Sequence, residues 1–451
     1  MITADASPER LDPGLRNAFW FATFNAFSFQ MVLSSPMFLY ARGLGAGATV
    51  LGLIAGMMPL LVILQIFSAP YVGRVGYKRF VYGGWTIRVM FICAMAVLPL
   101  LGGVLDKTTR LALLLAALFG FNFSRGVSSC GWLPWITALV PPSIRGRYLT
   151  VETAFVNLAS FLVMILAAGA LGSNPPEWRF AALFAFSAAM GAVSLSFLKR
   201  VPDVETPVEE RFSHQPVPWG AIAGFAPFRR LLCFAIAWAF AYGGVAVFTV
   251  AFLKQLGVFS EGQILLVTSA TFLGGLASLG LMRERLDRLG SKPALMLAQC
   301  LCLVTLAGWT AVAGRLLTPT LALVTALAML SGLCGALVQL ANTRLVMGIA
   351  PRMGRSHFFA LFSVVSNVSL GVAPMLWGFA IDVVGSLERR AGGLEWNRFS
   401  LFFSAAAGFV LVASVLCRRL EEPEASSMET LAREVLIQSP QKLLLRLWHR
   451  G

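Results

Sequence analysis

Long apolar runs, each closed by a short polar break, repeat along this chain. Twelve of them approach or exceed the roughly 20 residues that a helix needs to cross a bilayer core of about 30 Å. They lie at 17–40, 49–73, 80–103, 110–139, 148–172, 178–198, 228–254, 262–283, 293–314, 318–349, 356–384 and 398–417. Helix is the expected form, because a lone strand leaves backbone groups unpaired in lipid. Pro59, Pro134 and Pro374 fall inside runs, where membrane helices accept proline as a kink. The longest polar break, "KRVPDVETPVEERFSHQPVPWGAIAGFAP" at 199–227, is charged and proline-rich and reads as a linker. It parts six runs from six. The pattern predicts an all-α membrane protein with twelve transmembrane helices in two six-helix bundles.

Composition agrees with the pattern. The 451 residues are 57% hydrophobic and only 13% charged, a balance that would leave a water-soluble protein covered in sticky patches. The formal net charge of +15 raises nucleic acid as a partner. The basic residues, however, are spread over short loops and form no basic domain, so none is expected. Lys and Arg are in excess on the loops that share a side with both termini, which places both termini in the cytoplasm. The first apolar run is too long for a cleaved signal, so the expected location is the cytoplasmic membrane, crossed many times. The divisions are then a cytoplasmic N-terminus (1–16), a bundle (17–198), the linker (199–227), a second bundle (228–419) and a cytoplasmic tail (420–451). The tail's basic end and Trp448 suit an amphipathic helix on the membrane surface. All seven cysteines lie in apolar runs and read as core residues, neither disulfides nor metal ligands. No cofactor or metal is implied. No nucleotide-loop, zinc-protease or nucleophile-elbow pattern occurs, so an enzyme is not expected.

The two sets of six echo each other. "RVGYKRF" (74–80) matches "RLGSKPA" (288–294), pairing Arg74 with Arg288, Gly76 with Gly290 and Lys78 with Lys292. "PPSIRGRYLTVETAFVN" (141–157) matches "PRMGRSHFFALFSVVSN" (351–367), pairing Arg145 with Arg355, Asn157 with Asn367 and Tyr148 with Phe358. Each echo sits at the same place in its half. Such internal duplication is common in secondary transporters.

With these residues in view, the chain resembles the major facilitator superfamily over residues 16–419. The superfamily's loop signature runs roughly G-x-x-x-D-R-x-G-R-K. Here Ala69 and Gly73 replace its Gly and Asp in the first half, while Asp287-Arg288 is kept in the second, with Arg283 at the leading Gly. "GVAPMLWGFAIDVVG" (371–385) also resembles the superfamily's eleventh helix. The resemblance implies transport by alternating access. It implies gating roles for Arg74, Gly76, Lys78, Asp287, Arg288, Gly290 and Lys292, and for Arg145, Glu152 and Arg355. Gly73, where an acid is usual, weakens the account of the first loop as a charge-paired latch.

The candidate site starts from charge inside the membrane. Arg125 lies deep in "ALFGFNFSRGVSSCGWLPWITALV" (117–140). An intramembrane ion costs from about 3 to over 10 kcal/mol, so it pairs or lines a cavity. Proton-coupled sugar porters of the superfamily pair an arginine of the fourth helix with an acid in the first. Here the first helix offers Asn25, Ser28 and Gln30 instead, which suits a facilitator or an anion site. Arg88 lies in the third helix, peripheral in the resembled fold, and is read as snorkelling; Arg344 is read the same way. Glu152 is read as a gate partner of Arg145 and Arg147, and as the carrier if a proton is coupled. Asp382 reads as structural. Amides and aromatics on helices that line the superfamily's cavity complete the candidate substrate set. It comprises Arg125, Asn25, Gln30, Asn157, Trp238, Tyr242, Gln339, Asn342 and Asn367.

The expected partners are a small-molecule substrate, a proton as candidate coupling ion and the lipid bilayer, with the chain a monomer. The expected function is secondary transport of a small polar or anionic solute. The alternative is a proton-linked efflux pump for amphipathic compounds, although the fifth helix lacks the GPxxGG-like element common in drug antiporters of the superfamily.

Overall fold

The computed structural model describes residues 13–140, 145–204, 224–282, 290–349 and 355–420. Eleven helices are long and apolar enough to cross a membrane, judged by length and composition. A further helix, α1 (Pro13–Leu33, continued by Ser35–Gly43), precedes them and brings the bundle helices to twelve. The rest are α2 (Ala48–Val75), α3 (Tyr77–Gly103), α4 (Lys107–Ile136), α5 (Arg145–Leu171), α6 (Glu177–Arg200), α7 (Ala226–Leu256), α8 (Glu261–Met282), α9 (Ser291–Ala313), α10 (Leu321–Ile349), α11 (Arg355–Val384) and α12 (Arg398–Arg418). A short antiparallel hairpin, β1 (Arg389–Ala391) and β2 (Leu394–Trp396), lies between α11 and α12. The N-terminal 12 residues, most of the linker, Asp287, Arg288 and the C-terminal tail lie outside the described residues. So do the side chains of Arg145, Arg147 and Arg355.

Packing sorts these residues into two compact units. The first holds α1 to α6 with Gly243–Ser269 and Asn367–Leu387; the second holds α7 as far as Tyr242, Ala270–Ser366 and the chain from Glu388. In the first unit α1 packs on α6 and α5, and α3 packs on α4 and α6. Small residues let these backbones approach, as membrane helices require. A Cβ on Gly84 of α3 would lie 2.0 Å from the Ser128 Cβ of α4, and Ser124 Oγ donates to the Gly84 carbonyl at 2.9 Å. Ser187 Oγ likewise donates to the Ser28 carbonyl at 2.6 Å. Along another seam of this unit, Asp382 of α11 accepts from the Ala48 and Thr49 backbone N–H groups at 3.1 and 2.7 Å. It thus satisfies the open donors at the start of α2.

In the second unit α9 lies against α10 and α12, and the first part of α7 lies against α12. Glu395 of β2 donates its N–H to the Gly314 carbonyl, and Asn397 caps α12 with a reciprocal bond from Ser400. The sequence echo has a backbone counterpart. Gly76 and Gly290 both adopt φ +90°, each just ahead of a helix. Only glycine takes that conformation without strain. Tyr148 and Phe358 are both buried, each within its own unit.

Candidate functional site

Proline shapes the wall of the site. Pro134 has no N–H to give the Cys130 carbonyl, and α4 tightens to a 3-10 turn at Ser129–Gly131 before resuming at Trp132. Gln65 Nε2 donates to Ser129 Oγ, which donates to the Arg125 carbonyl, both at 2.7 Å. The turn is therefore held in place from α2. A cavity of about 290 Å³ opens here within the first unit, lined from α1 to α5.

Its charged lining is Arg88, Arg125 and Glu152. Among the described residues Arg125 Nη1 reaches only the Met58 carbonyl, at 3.5 Å, a distance at which little bonding remains. Arg88 is 4% exposed and its Nε has no hydrogen-bond partner. Its guanidinium carbon instead stands 4.3 Å from the Trp85 ring centroid and 5.1 Å from that of Phe121. Rings supply a cation with attraction through their negative faces but accept no directed pair of bonds. The two arginines line the same cavity. Among the described residues no carboxylate forms an ion pair with either, and Glu152 makes none.

An aromatic wall completes the cavity. Phe21 lies 5.7 Å from Trp85 and 4.7 Å from Trp132 between ring centroids. Trp85 Nε1 donates to Asn25 Oδ1 at 3.2 Å, which fixes the amide of Asn25 at the cavity edge.

Arg125, Asn25 and Glu152 thus come together, Glu152 as a cavity residue as well as a gate candidate. Gln30 and Asn157 turn to neighbours: Gln30 Nε2 donates to Ser160 Oγ at 3.0 Å, and Asn157 Nδ2 to the Thr153 carbonyl at 2.9 Å. Asn367 is half-buried on α11, in the first unit. In the second unit Trp238 and Tyr242 stack at 5.2 Å, and the Tyr242 hydroxyl donates to the Ser331 carbonyl at 2.7 Å. Asn342 is buried with Oδ1 unpartnered, and Gln339 is exposed. Of the loop residues, Arg74 lies over the Tyr71 ring at 5.9 Å and Lys78 is half-buried. Lys292 Nζ donates to the carbonyls of Arg418 and Leu420 at 2.8 and 3.0 Å.

From the sequence, Arg88 reads as snorkelling and neither Trp85 nor Trp132 is singled out. One signal was there: Trp85 precedes Arg88 by three residues, a spacing that puts ring and cation on one helix face.

A model of the Major Facilitator Superfamily matches residues 19–258 and again 246–450. The chain belongs to that superfamily. It is a multi-pass membrane transporter and not an enzyme. No curated protein sequence matches the chain. Solved structures share the fold at low identity. The D-xylose-proton symporter is 14% identical, with a TM-score of 0.69 over 92% of this chain and 99% of that one. A POT family transporter in complex with 5-aminolevulinic acid is 12% identical, with a TM-score of 0.68 over 91% and 97%. The xylose transporter XylE from E. coli, in an inward open conformation, is 13% identical, with a TM-score of 0.64 over 93% and 97%.

Proposed function

We propose that this superfamily member moves a small polar or anionic solute across the cytoplasmic membrane by alternating access, with both termini in the cytoplasm. One observation carries the reading: Arg125 lines a cavity within membrane-crossing helices and has no carboxylate partner among the described residues. A permanent cation kept in that position is best explained by a ligand that uses it. Asn25, Gln30, Asn157, Trp238, Tyr242, Gln339, Asn342 and Asn367 are the proposed supporting contacts. Arg74, Gly76, Lys78, Asp287, Arg288, Gly290, Lys292, Arg145, Glu152 and Arg355 are the proposed gating set.

The test is thermal unfolding of the purified protein with sugars, organic anions, amino acids and cationic drugs, beside Arg125→Ala. A ligand at 100 times its Kd stabilises by about 2.7 kcal/mol. Stabilisation by a polar or anionic solute, lost in the variant, is the expected result. The aromatic wall and the place of Glu152 on the cavity lining favour a second reading, proton-linked efflux of amphipathic compounds. Equal stabilisation of both proteins by such compounds would put that reading first.

A further inference from the structure

Arg88 is the feature that the proposed function leaves unused. It is 4% exposed, lines the same cavity as Arg125, and its Nε has no partner. A buried guanidinium ordinarily has a carboxylate or several carbonyls around it. This one stands against the Trp85 and Phe121 rings and lines the cavity. Arg88 and Arg125 face one cavity, and an occupant of opposite charge would relieve the repulsion of two like charges there. Among the described residues Glu152 is the sole acid on the lining. Two guanidiniums against one carboxyl leave the cavity positive whichever way Glu152 is protonated.

Shape narrows the class further. Trp85 and Trp132, 6.3 Å apart between centroids and tilted by 40°, join Phe21 in a continuous aromatic wall beside the two cations. Such a wall takes the flat face of a ring, while guanidinium forks take the two oxygens of a carboxylate. A cavity of about 290 Å³ is at the small end of the range for ligand pockets.

We infer that Arg88 and Arg125 together bind one organic anion, a small aromatic or heteroaromatic carboxylate, whose ring lies against Trp85 and Trp132. This deepens the proposed function and rests on it. Arg88 is then a substrate-contacting residue and sets specificity for charge.

The experiment reads intrinsic tryptophan fluorescence, since two of the reporting rings line the site. Benzoate, nicotinate and indole-3-carboxylate are titrated into the full-length protein, each beside its neutral amide, with acetate as the ringless anion. Every carboxylate that binds is expected to do so at least tenfold more tightly than its amide, and more tightly than acetate. Arg88→Gln is expected to weaken carboxylate binding at least tenfold, with partial recovery in Arg88→Lys. The ladder of carboxylate, amide and acetate on the unaltered protein needs no variant, so a folding defect in Arg88→Gln leaves the test intact. Equal binding of acid and amide, no carboxylate binding, or undiminished binding in a folded Arg88→Gln would each overturn the inference. In those cases the Arg125-dependent thermal screen still decides the proposed function separately.

Discussion

Two arginines on neighbouring helices are buried to almost the same degree and live in opposite circumstances. Arg110, near the start of α4, is 3% exposed and its Nη1 meets Glu177 Oε2 at 2.6 Å. Arg88, in the middle of α3, is 4% exposed and meets Trp85 and Phe121 rings. Burial is common to both; the partner is not. The carboxylate of Glu177 ties α4 to α6 through Arg110, although the Arg110 Nε, like that of Arg88, has no hydrogen-bond partner. The Arg88 guanidinium, held by ring faces, has no carboxylate of its own among the described residues. Depth of burial alone therefore does not mark a functional charge in a membrane protein. Burial without a counter-charge, beside a cavity, does.

The sharpest way to break this contrast is to give Arg110 the condition of Arg88. Glu177→Ala is expected to cost about 2–3 kcal/mol. That is below the 3–5 kcal/mol for a fully buried pair, because the Glu177 side chain is 44% exposed and partly screened. A clear fall in Tm with anion affinity unchanged is the expected outcome, and an unchanged Tm would show that the pair contributes nothing.

Gly84→Ala tests the geometry on the other side. Its new Cβ would collide with Ser128, at 2.0 Å, and forcing α3 from α4 should cost about 1–3 kcal/mol. Because these helices carry Arg88 and Arg125, benzoate binding should weaken along with Tm. Loss of stability with full affinity would mean that the cavity tolerates the shift.

Arg88→Met removes a cation that has ring contacts but no carboxylate partner among the described residues, and keeps a long apolar stem. Stability should stay level or rise by up to about 1 kcal/mol, while carboxylate binding is lost. A marked fall in Tm would instead make Arg88 a structural residue like Arg110.

The smallest effect belongs to Asp106, which caps α4 one turn before Arg110. It accepts from the Thr109 hydroxyl at 2.6 Å and from the backbone N–H groups of Thr108 and Thr109. These bonds, the Thr109 hydroxyl first, hold its carboxyl below the usual range. A lowered folded-state value means that the cap's contribution is present above the ordinary carboxylate pKa of about 3.9. It is lost as pH falls through the lower folded value. Asp106→Asn should flatten Tm against pH slightly in that acidic window and leave Tm near neutrality little changed.

The helices could be read from the chain because crossing a bilayer is a local demand. About twenty apolar residues in succession satisfy it wherever they lie, and α2 to α12 fall close to the expected runs. The first helix is the most polar of the twelve, yet its aromatic and aliphatic positions were enough to place it. The duplication was legible for a similar reason. A glycine held at φ +90° leaves a fixed letter in each copy, at Gly76 and Gly290.

Arg125 stood out because a charge inside an apolar run is itself a signal. Arg88 carries the same signal but reads as snorkelling, because the third helix is peripheral in the resembled fold. Asp382 shows the limit from another side. It looked structural from its place at the end of a helix, but its partners, Ala48 and Thr49, lie more than three hundred residues away in the chain.

The sequence by itself determined how many times the chain crosses the membrane, that its halves are copies, and that cations are kept within the spans. All of these follow from the energy of a residue against lipid or its own backbone, which depends only on its neighbours in the chain. Only the tertiary structure decided which buried arginine has a carboxylate and which has a ring and an open cavity. Pairing is a matter of distance between helices, and the distance from α3 to Trp132, or from α4 to Glu177, exists only once the helices have packed.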